Sequence, residues 1–157
     1  MANCCARRAA SNGAVQACPA SGTQGKPVEL QTVKALLTEA ALRRVAVSSH
    51  HFCPEPACDV VYFDETGHTY TRADVRVRVW QKEPFGERTI CYCFGENETD
   101  IRRELETTGG SDAVERVRRH IEAGRCACEL RNPRGVCCLG DIGAAVTRVK
   151  ASVGAAE

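Results

Sequence analysis

Eleven cysteines stand among the 157 residues of this chain, and six of them form one pattern in its second half. The six are Cys91, Cys93, Cys126, Cys128, Cys137 and Cys138. An odd total cannot pair completely in disulfides, and the first residues show no apolar stretch behind a basic start, as a secretory signal would. Clustered cysteines in such a chain are more typical of zinc or iron sites than of a disulfide framework.

Charge and hydropathy exclude several classes of function. The 21 basic and 20 acidic residues leave a net charge of +1, which gives no long-range attraction to nucleic acid or anionic membranes. No apolar run approaches the ~20 residues of a membrane-spanning helix. We therefore expect a soluble, cytoplasmic protein without nucleic-acid binding or membrane insertion. The sequence contains no Ser-His-Asp arrangement or paired-carboxylate site, so we expect no enzyme.

Strand-like and helix-like patterns predict an α+β fold. Apolar residues recur at helical spacing over Thr32–Arg44, and β-branched or aromatic runs separated by Pro and Gly follow. The predicted strands are Val28–Leu30, His51–Cys53, Asp59–Phe63, His68–Thr71 and Val75–Trp80. Beyond a linker at Lys82–Gly86 the pattern is helical, with helices predicted over Glu98–Thr107, after a cap at Ser111, and from Leu139.

These patterns divide the chain into three parts. Residues 1–17 are predicted to be a flexible tail, because they are rich in small polar residues and show no period. Residues 18–83 are predicted to be a small domain rich in β-hairpins, and residues 87–153 a small helical domain. Small domains bury little surface, so each is expected to depend on a metal for stability.

The clustered cysteines of the second half are suited to a two-iron cluster. Its thiolates must converge from two directions, two sulfurs on each iron. Cys91 and Cys93 can reach one iron, and we predict Cys126 and Cys138 at the other, because one follows a helix and the other opens one. The alternatives at that iron are Cys128 and Cys137.

At this point the motifs resemble a known family. The runs C-Y-C-F at 91–94 and C-A-C-E-L-R-N-P-R-G-V-C-C-L-G at 126–140 resemble the amino-terminal module of CopZ-type copper chaperones, whose cluster domain is similar to bacterioferritin-associated ferredoxin. The run C-P-E-P-A-C-D-V-V-Y-F at 53–63 and the Cys18-Pro19 pair resemble that family's zinc-binding domain. The resemblance covers roughly residues 18–150 and implies one zinc domain followed by one 2Fe-2S domain.

The resemblance implies zinc ligands at Cys18, Cys53 and Cys58, with one departure. Ser21 stands where the family has a second cysteine, and a hydroxyl is a poor zinc ligand. The fourth ligand therefore stays open. The candidates are Cys4, Cys5, His50, His51 and His68.

A second departure concerns copper. Full-length CopZ chaperones carry a carboxy-terminal heavy-metal domain with a Met-x-Cys-x-x-Cys loop, and no such loop occurs up to Glu157. Copper delivery by that loop is therefore not expected.

Three functions are consistent with these sequence features. The first is a metal-handling redox protein, in which the cluster passes electrons and spare thiols bind copper or another soft ion. A metal transporter or a reductase is the candidate partner. The spare thiols are Cys4, Cys5, Cys128 and Cys137. The second function is a ferredoxin-like electron-transfer partner, and the third is a structural or redox-sensing protein.

Overall fold

The computed structural model describes residues 16–156, and its elements confirm the α+β prediction. The strands are β1 Lys26–Val28, β2 His50–Phe52, β3 Val60–Asp64 and β4 Thr69–Thr71. The helices of this part of the chain are α1 Leu30–Leu36, α2 Glu39–Leu42, α3 Glu98–Thr108, α4 Ala113–Glu122, α5 Cys128–Arg131 and α6 Leu139–Gly154. Most of the predicted tail lies outside the described residues, so that prediction and the domain division stay predictions.

The four strands form one antiparallel sheet in sequence order, with Phe52 of β2 opposite Tyr62 of β3. Every residue of β3 is buried, because this strand contributes to two apolar clusters. Tyr62 packs with Phe52 and the buried side of α1, whereas Val60 and Phe63 pack beside Cys18 and Cys53. The sheet therefore separates the apolar core from a second layer that contains cysteines.

The prediction of one helix over Thr32–Arg44 is wrong. The chain breaks at Leu37, whose backbone is extended with φ −69° and ψ 146°. Thr38 is the cap residue of α2, and its hydroxyl accepts a hydrogen bond from the backbone N–H of Ala41 at 3.3 Å. Leu37 itself is buried, so the apolar spacing continues across the break. The periodicity of the sequence alone therefore does not reveal that the helix ends there.

The predicted strand over Val75–Trp80 is also wrong. Val75 makes an isolated antiparallel bridge with Leu37, and a 3-10 helix covers Trp80–Lys82. The segment between the bridge and the 3-10 helix is irregular, but Val75 and Val79 are buried. The alternation of Val and Arg therefore indicates that one side of the segment is buried, and it does not indicate pairing in a sheet.

The helices of the second half pack around α6. Ile101 and Leu105 of α3 and Val117 of α4 lie in one apolar cluster with Ile142 and Val149 of α6. The cap of α3 is Asn97, whose side-chain oxygen accepts from the N–H of Asp100 at 2.9 Å. No helix of the part that the structure describes has the length and apolar character needed to cross a membrane.

Polar contacts join the two halves of the chain. The Tyr62 hydroxyl donates to the Pro133 carbonyl at 2.5 Å, and the Thr32 hydroxyl donates to the Glu129 carbonyl at 2.7 Å. The turn that ends at Gly135 therefore packs against α1 and β3.

Candidate metal centres

The first centre consists of Cys18, Cys53 and Cys58, whose sulfur atoms all lie within 4.8 Å of one another. Cys18 precedes a tight turn in which its carbonyl accepts from the N–H of Gly22 at 2.8 Å. Cys53 directly follows β2, and its N–H bonds to the Val61 carbonyl at 2.9 Å. The turn after Cys18 and the connection between β2 and β3 thus bring the three thiols together, as the resemblance implies.

The spacing of these sulfurs fits a single zinc ion. Zinc bound to thiolates at about 2.3 Å in a tetrahedron holds its sulfurs about 3.8 Å apart. The Sγ atoms of Cys18 and Cys58 are 4.0 Å apart. The donor set and its geometry are therefore those of a zinc site with three thiolates.

The fourth corner of this site lies beside Ser21. The Ser21 hydroxyl is 3.5 Å from Cys53 Sγ, which is the separation expected of two groups around one ion. The three candidate histidines lie elsewhere: His50 Nδ1 bonds to the Ser48 carbonyl, and His68 Nδ1 is 3.3 Å from Asp64. His51 stacks on Phe63. Among the described residues, no histidine joins the three thiols within 4.8 Å, and the candidates Cys4 and Cys5 lie outside that range.

Cys18 and Cys53 of this centre have pKa values shifted in opposite directions. Burial opposes ionisation of Cys18, but hydrogen bonds from the hydroxyl and N–H of Ser21 and from the N–H of Ala20 lower its pKa to about 7. Burial raises the pKa of Cys53. Lys82 Nζ donates to the carbonyls of Glu55 at 2.8 Å and Cys58 at 2.9 Å, which places an ammonium next to the site.

The second centre brings together Cys91, Cys93, Cys128 and Cys138. Cys93 Sγ lies 4.0 Å from Cys128 Sγ, and Cys138 hydrogen-bonds to both Cys91 and Cys128. Three of the four are buried, and Cys93 is partly buried. The contacts form a row, Cys91 to Cys138 to Cys128 to Cys93.

Local backbone structure positions these four thiols. The turn after Cys91 closes when the N–H of Gly95 bonds to the Cys91 carbonyl at 2.9 Å, and Gly95 has a φ of +74°. The N–H of Ala127 donates to Cys93 Sγ at 3.2 Å. Cys128 begins α5 and Cys138 is the cap residue of α6, so both stand at helix amino termini.

Hydrogen bonds and burial shift the pKa values of these thiols in opposite directions. The hydrogen bonds of Cys138 with Cys128 and Cys91 raise its own pKa. The same bonds lower the pKa of Cys91 to about 7 and that of Cys128 to about 6. Burial raises the pKa of Cys93 to about 11. Binding of a metal by all four thiolates would therefore release protons.

The contacts described above include three of the four predicted ligands. Cys91, Cys93 and Cys138 take part, and the alternative Cys128 stands where Cys126 was predicted. Cys126 is partly buried against the same apolar cluster, and Cys137 is exposed. The assignment of Cys126 stays a prediction, and the 4.0 Å contact of Cys128 Sγ with Cys93 Sγ makes Cys128 a candidate for the same role.

Lys82 is the residue beside the first centre that sequence reasoning missed. Its side chain is only 6% exposed, and it lies at the predicted linker, where a lysine would ordinarily be a surface residue. Nothing in the local sequence signals its burial, because its partners Glu55 and Cys58 stand about 25 residues earlier.

Comparisons with known proteins support zinc binding at the first centre. A CopZ-type family described as "Zinc binding domain" matches residues 15–76. The three-thiol centre lies within the residues that match this zinc-binding domain.

Two particular relatives come from Archaeoglobus fulgidus. The copper chaperone CopZ of that organism is 31% identical over 122 residues, which cover 77% of this chain and 57% of the relative. The X-ray structure of the CopZ N-terminal domain matches with a TM-score of 0.65 and 27% identity, over 82% of this chain and 98% of that domain. The chain is therefore similar to the N-terminal module of CopZ, and it spans little more than half the length of the whole relative.

Proposed function

We propose that the chain is a metal-handling redox protein that carries a 2Fe-2S cluster on Cys91, Cys93, Cys128 and Cys138 in addition to zinc. One observation carries this proposal: thiols from two stretches 35 residues apart meet, with Cys93 Sγ 4.0 Å from Cys128 Sγ. Four cysteine thiolates are the usual ligands of such a cluster.

The spread of the four sulfurs favours two irons over one ion. In the described residues, only the sulfurs of Cys18, Cys53 and Cys58 form a group of three or more ligand atoms that all lie within 4.8 Å of one another. No three sulfurs of the second centre meet this condition. The sulfurs of the second centre form a longer row instead. A two-iron cluster needs such a spread, because two thiolates bind each iron.

The surrounding residues suit a redox centre. Ile90 and Ile142 are fully buried in the cluster of side chains that contains Cys91 and Cys138, so water has little access to the inner sulfurs. The amino terminus of the 16-residue helix α6 begins beside Cys138, and its partial positive charge stabilises a negatively charged group. A 2Fe-2S cluster bound there would supply electron-transfer chemistry.

Handling of copper or another soft ion is part of the same proposal. A relative named as a copper chaperone supports it, and so does the number of cysteines beyond the two centres. These four are Cys4, Cys5, Cys126 and Cys137. Thiolates select soft ions such as monovalent copper. We place the protein in the cytoplasm, with a metal transporter or a reductase as partner.

The cluster is tested with protein prepared without oxygen. We expect about two irons and two acid-labile sulfides per chain, with visible absorption. Cys128→Ser should remove that absorption and the iron, whereas Cys126→Ser should keep both. If Cys126→Ser loses the cluster and Cys128→Ser keeps it, the ligand assignment is wrong; colourless, iron-free protein would refute the cluster itself.

The copper proposal needs a separate measurement. Reduced protein is titrated with monovalent copper against a competing chelator, and iron and zinc are quantified in the same sample. We expect at least one copper ion to bind without displacing either metal. If copper binds only as zinc or iron is lost, a carrier role is excluded.

A further inference from the structure

We infer that the zinc centre at Cys18, Cys53 and Cys58 is a three-thiolate site whose fourth position, at Ser21, is open to exchange with an exogenous thiol. The inference rests on zinc binding but not on the proposed 2Fe-2S cluster. It follows from the position of Ser21, the exposure of that position, and the charge next to the site.

Ser21 occupies the place of a ligand but offers a weak one. Its hydroxyl is 3.5 Å from Cys53 Sγ and also hydrogen-bonds to the Cys18 thiol. A neutral hydroxyl binds zinc far more weakly than a thiolate does. Whether the hydroxyl itself or a water molecule completes the tetrahedron, the fourth donor is an oxygen that another ligand can replace.

The fourth position faces solvent. Ser21 is exposed, whereas Cys18 and Cys53 are buried. A surface depression opens at this side of the centre. It is lined by Ala20, Ser21, Glu55, Ala57, Cys58 and Asp59. A structural zinc site is closed, whereas a site with three protein ligands and an accessible fourth position exchanges that ligand.

The charge next to the site matches three thiolates rather than four. Zinc with three thiolates carries a net charge of −1, and a fourth thiolate would make it −2. Lys82 supplies one positive charge, held by the carbonyls of Glu55 and Cys58. In the described residues, Lys82 is the buried cation at this centre.

An incoming thiol fits this position chemically. The thiol would bind as a thiolate, its proton would pass to solvent, and the oxygen donor would leave. No electron is transferred. The preferred ligand class is therefore a small thiol or another soft anion, for which zinc with three thiolates retains affinity.

Zinc-edge X-ray absorption tests the inference, because iron does not interfere. Full-length protein should show three sulfurs at about 2.3 Å and one oxygen at about 2.0 Å. Ser21→Cys should show four sulfurs, and Ser21→Ala should keep three. Adding a small thiol should bring a fourth sulfur to the wild-type protein, with no change in Ser21→Cys.

Two further measurements make the test specific. Zinc should transfer to a chromogenic chelator faster from the wild type than from Ser21→Cys, because the variant supplies a fourth thiolate that closes the site. The double variant Cys4→Ser/Cys5→Ser should match the wild type. Four sulfurs in the wild type, an imidazole signal, or loss of a sulfur in the double variant would overturn the inference. Iron content, measured in parallel, reports on the proposed cluster separately.

Discussion

Asp64 stabilises the turn between β3 and β4 through a buried carboxylate. Its Oδ1 accepts from the N–H of Thr66 at 2.9 Å, the hydroxyl of Thr66 at 2.6 Å and the N–H of His68 at 3.0 Å. Burial opposes ionisation, but these hydrogen bonds outweigh it and lower the pKa of Asp64 below its ordinary value. The carboxylate form is therefore the one that the folded protein prefers.

Replacing Asp64 with Asn should destabilise the protein by about 1–3 kcal/mol at pH 7, because a charge-assisted acceptor is lost. Because the pKa of Asp64 is lower in the folded state than in the unfolded state, its carboxylate stabilises the folded protein fully at pH values above the unfolded pKa of about 3.8. This stabilisation is lost as the pH falls through the pKa of the folded state. The difference in stability between wild type and variant should thus be constant from pH 7 to about pH 5 and shrink below about pH 4.

Denaturant unfolding at several pH values measures this difference. Glu106→Gln on the exposed surface of α3 is the matched control and should change stability little at any pH. A difference for Asp64→Asn that grows as the pH falls would contradict the assigned direction of the pKa.

Sequence reasoning at the scale of single residues located the cysteines but could not choose among close neighbours. Cys126 and Cys128 differ by two residues, and the choice depends on where α5 begins. That helix has only four residues and starts at Cys128. The Glu129 carbonyl of this helix accepts from the hydroxyl of Thr32, almost a hundred residues away, and no local pattern encodes that contact.

The turn between α5 and α6 depends on Gly135. Its φ is +67°, and a Cβ there would lie 2.7 Å from the hydroxyl oxygen of Thr32. Gly135→Ala should therefore cost about 1–2 kcal/mol from the backbone alone and more from the clash. Because the turn connects Cys128 to Cys138, we also expect lower iron content.

Gly143 in α6 is the matched control for this substitution. A Cβ at Gly143 meets nothing within 4 Å, and the residue lies inside a helix. Gly143→Ala should be neutral or stabilise the protein by up to about 1 kcal/mol. Thermal unfolding and iron analysis of both variants provide the comparison; equal effects would show that the turn is not specifically constrained.

At the scale of elements, the sequence predicts long periodic helices better than short irregular segments. Helix α6 starts at Leu139 as predicted, because its apolar residues repeat over four turns. The break at Leu37 and the irregular path after Val75 depend on each other, since the two residues form a bridge. A pairing across nearly forty residues cannot be inferred from either segment alone.

At the scale of the whole molecule, buried contacts join the two halves, each of which is predicted to depend on its own metal. The Asn132–Gly135 turn, which lies between two proposed cluster ligands, packs on α1 and receives the buried hydroxyl of Tyr62. Burial raises the pKa of Tyr62, so its hydroxyl stays a proton donor over the usable pH range. Tyr62 follows Cys58 by four residues, which connects the zinc centre directly to this turn.

This connection predicts that removal of zinc weakens retention of the proposed cluster. In the wild type, a zinc chelator should accelerate the loss of visible absorption several-fold, because Cys58 no longer restrains the start of β3. Tyr62→Phe leaves the Pro133 carbonyl without its donor, which costs about 1–3 kcal/mol for a buried group. In this variant the absorption should decay faster without chelator, and adding chelator should change the rate less.

Tyr70→Phe is the control, because the Tyr70 hydroxyl donates to the Arg44 carbonyl at 3.4 Å, away from the turn. It should show the wild-type response to the chelator. If Tyr62→Phe and Tyr70→Phe respond alike, the hydrogen bond to Pro133 does not transmit the effect. If the wild-type decay is insensitive to the chelator, the two metal centres are independent, because loss of zinc at Cys58 then has no consequence at Cys128 and Cys138.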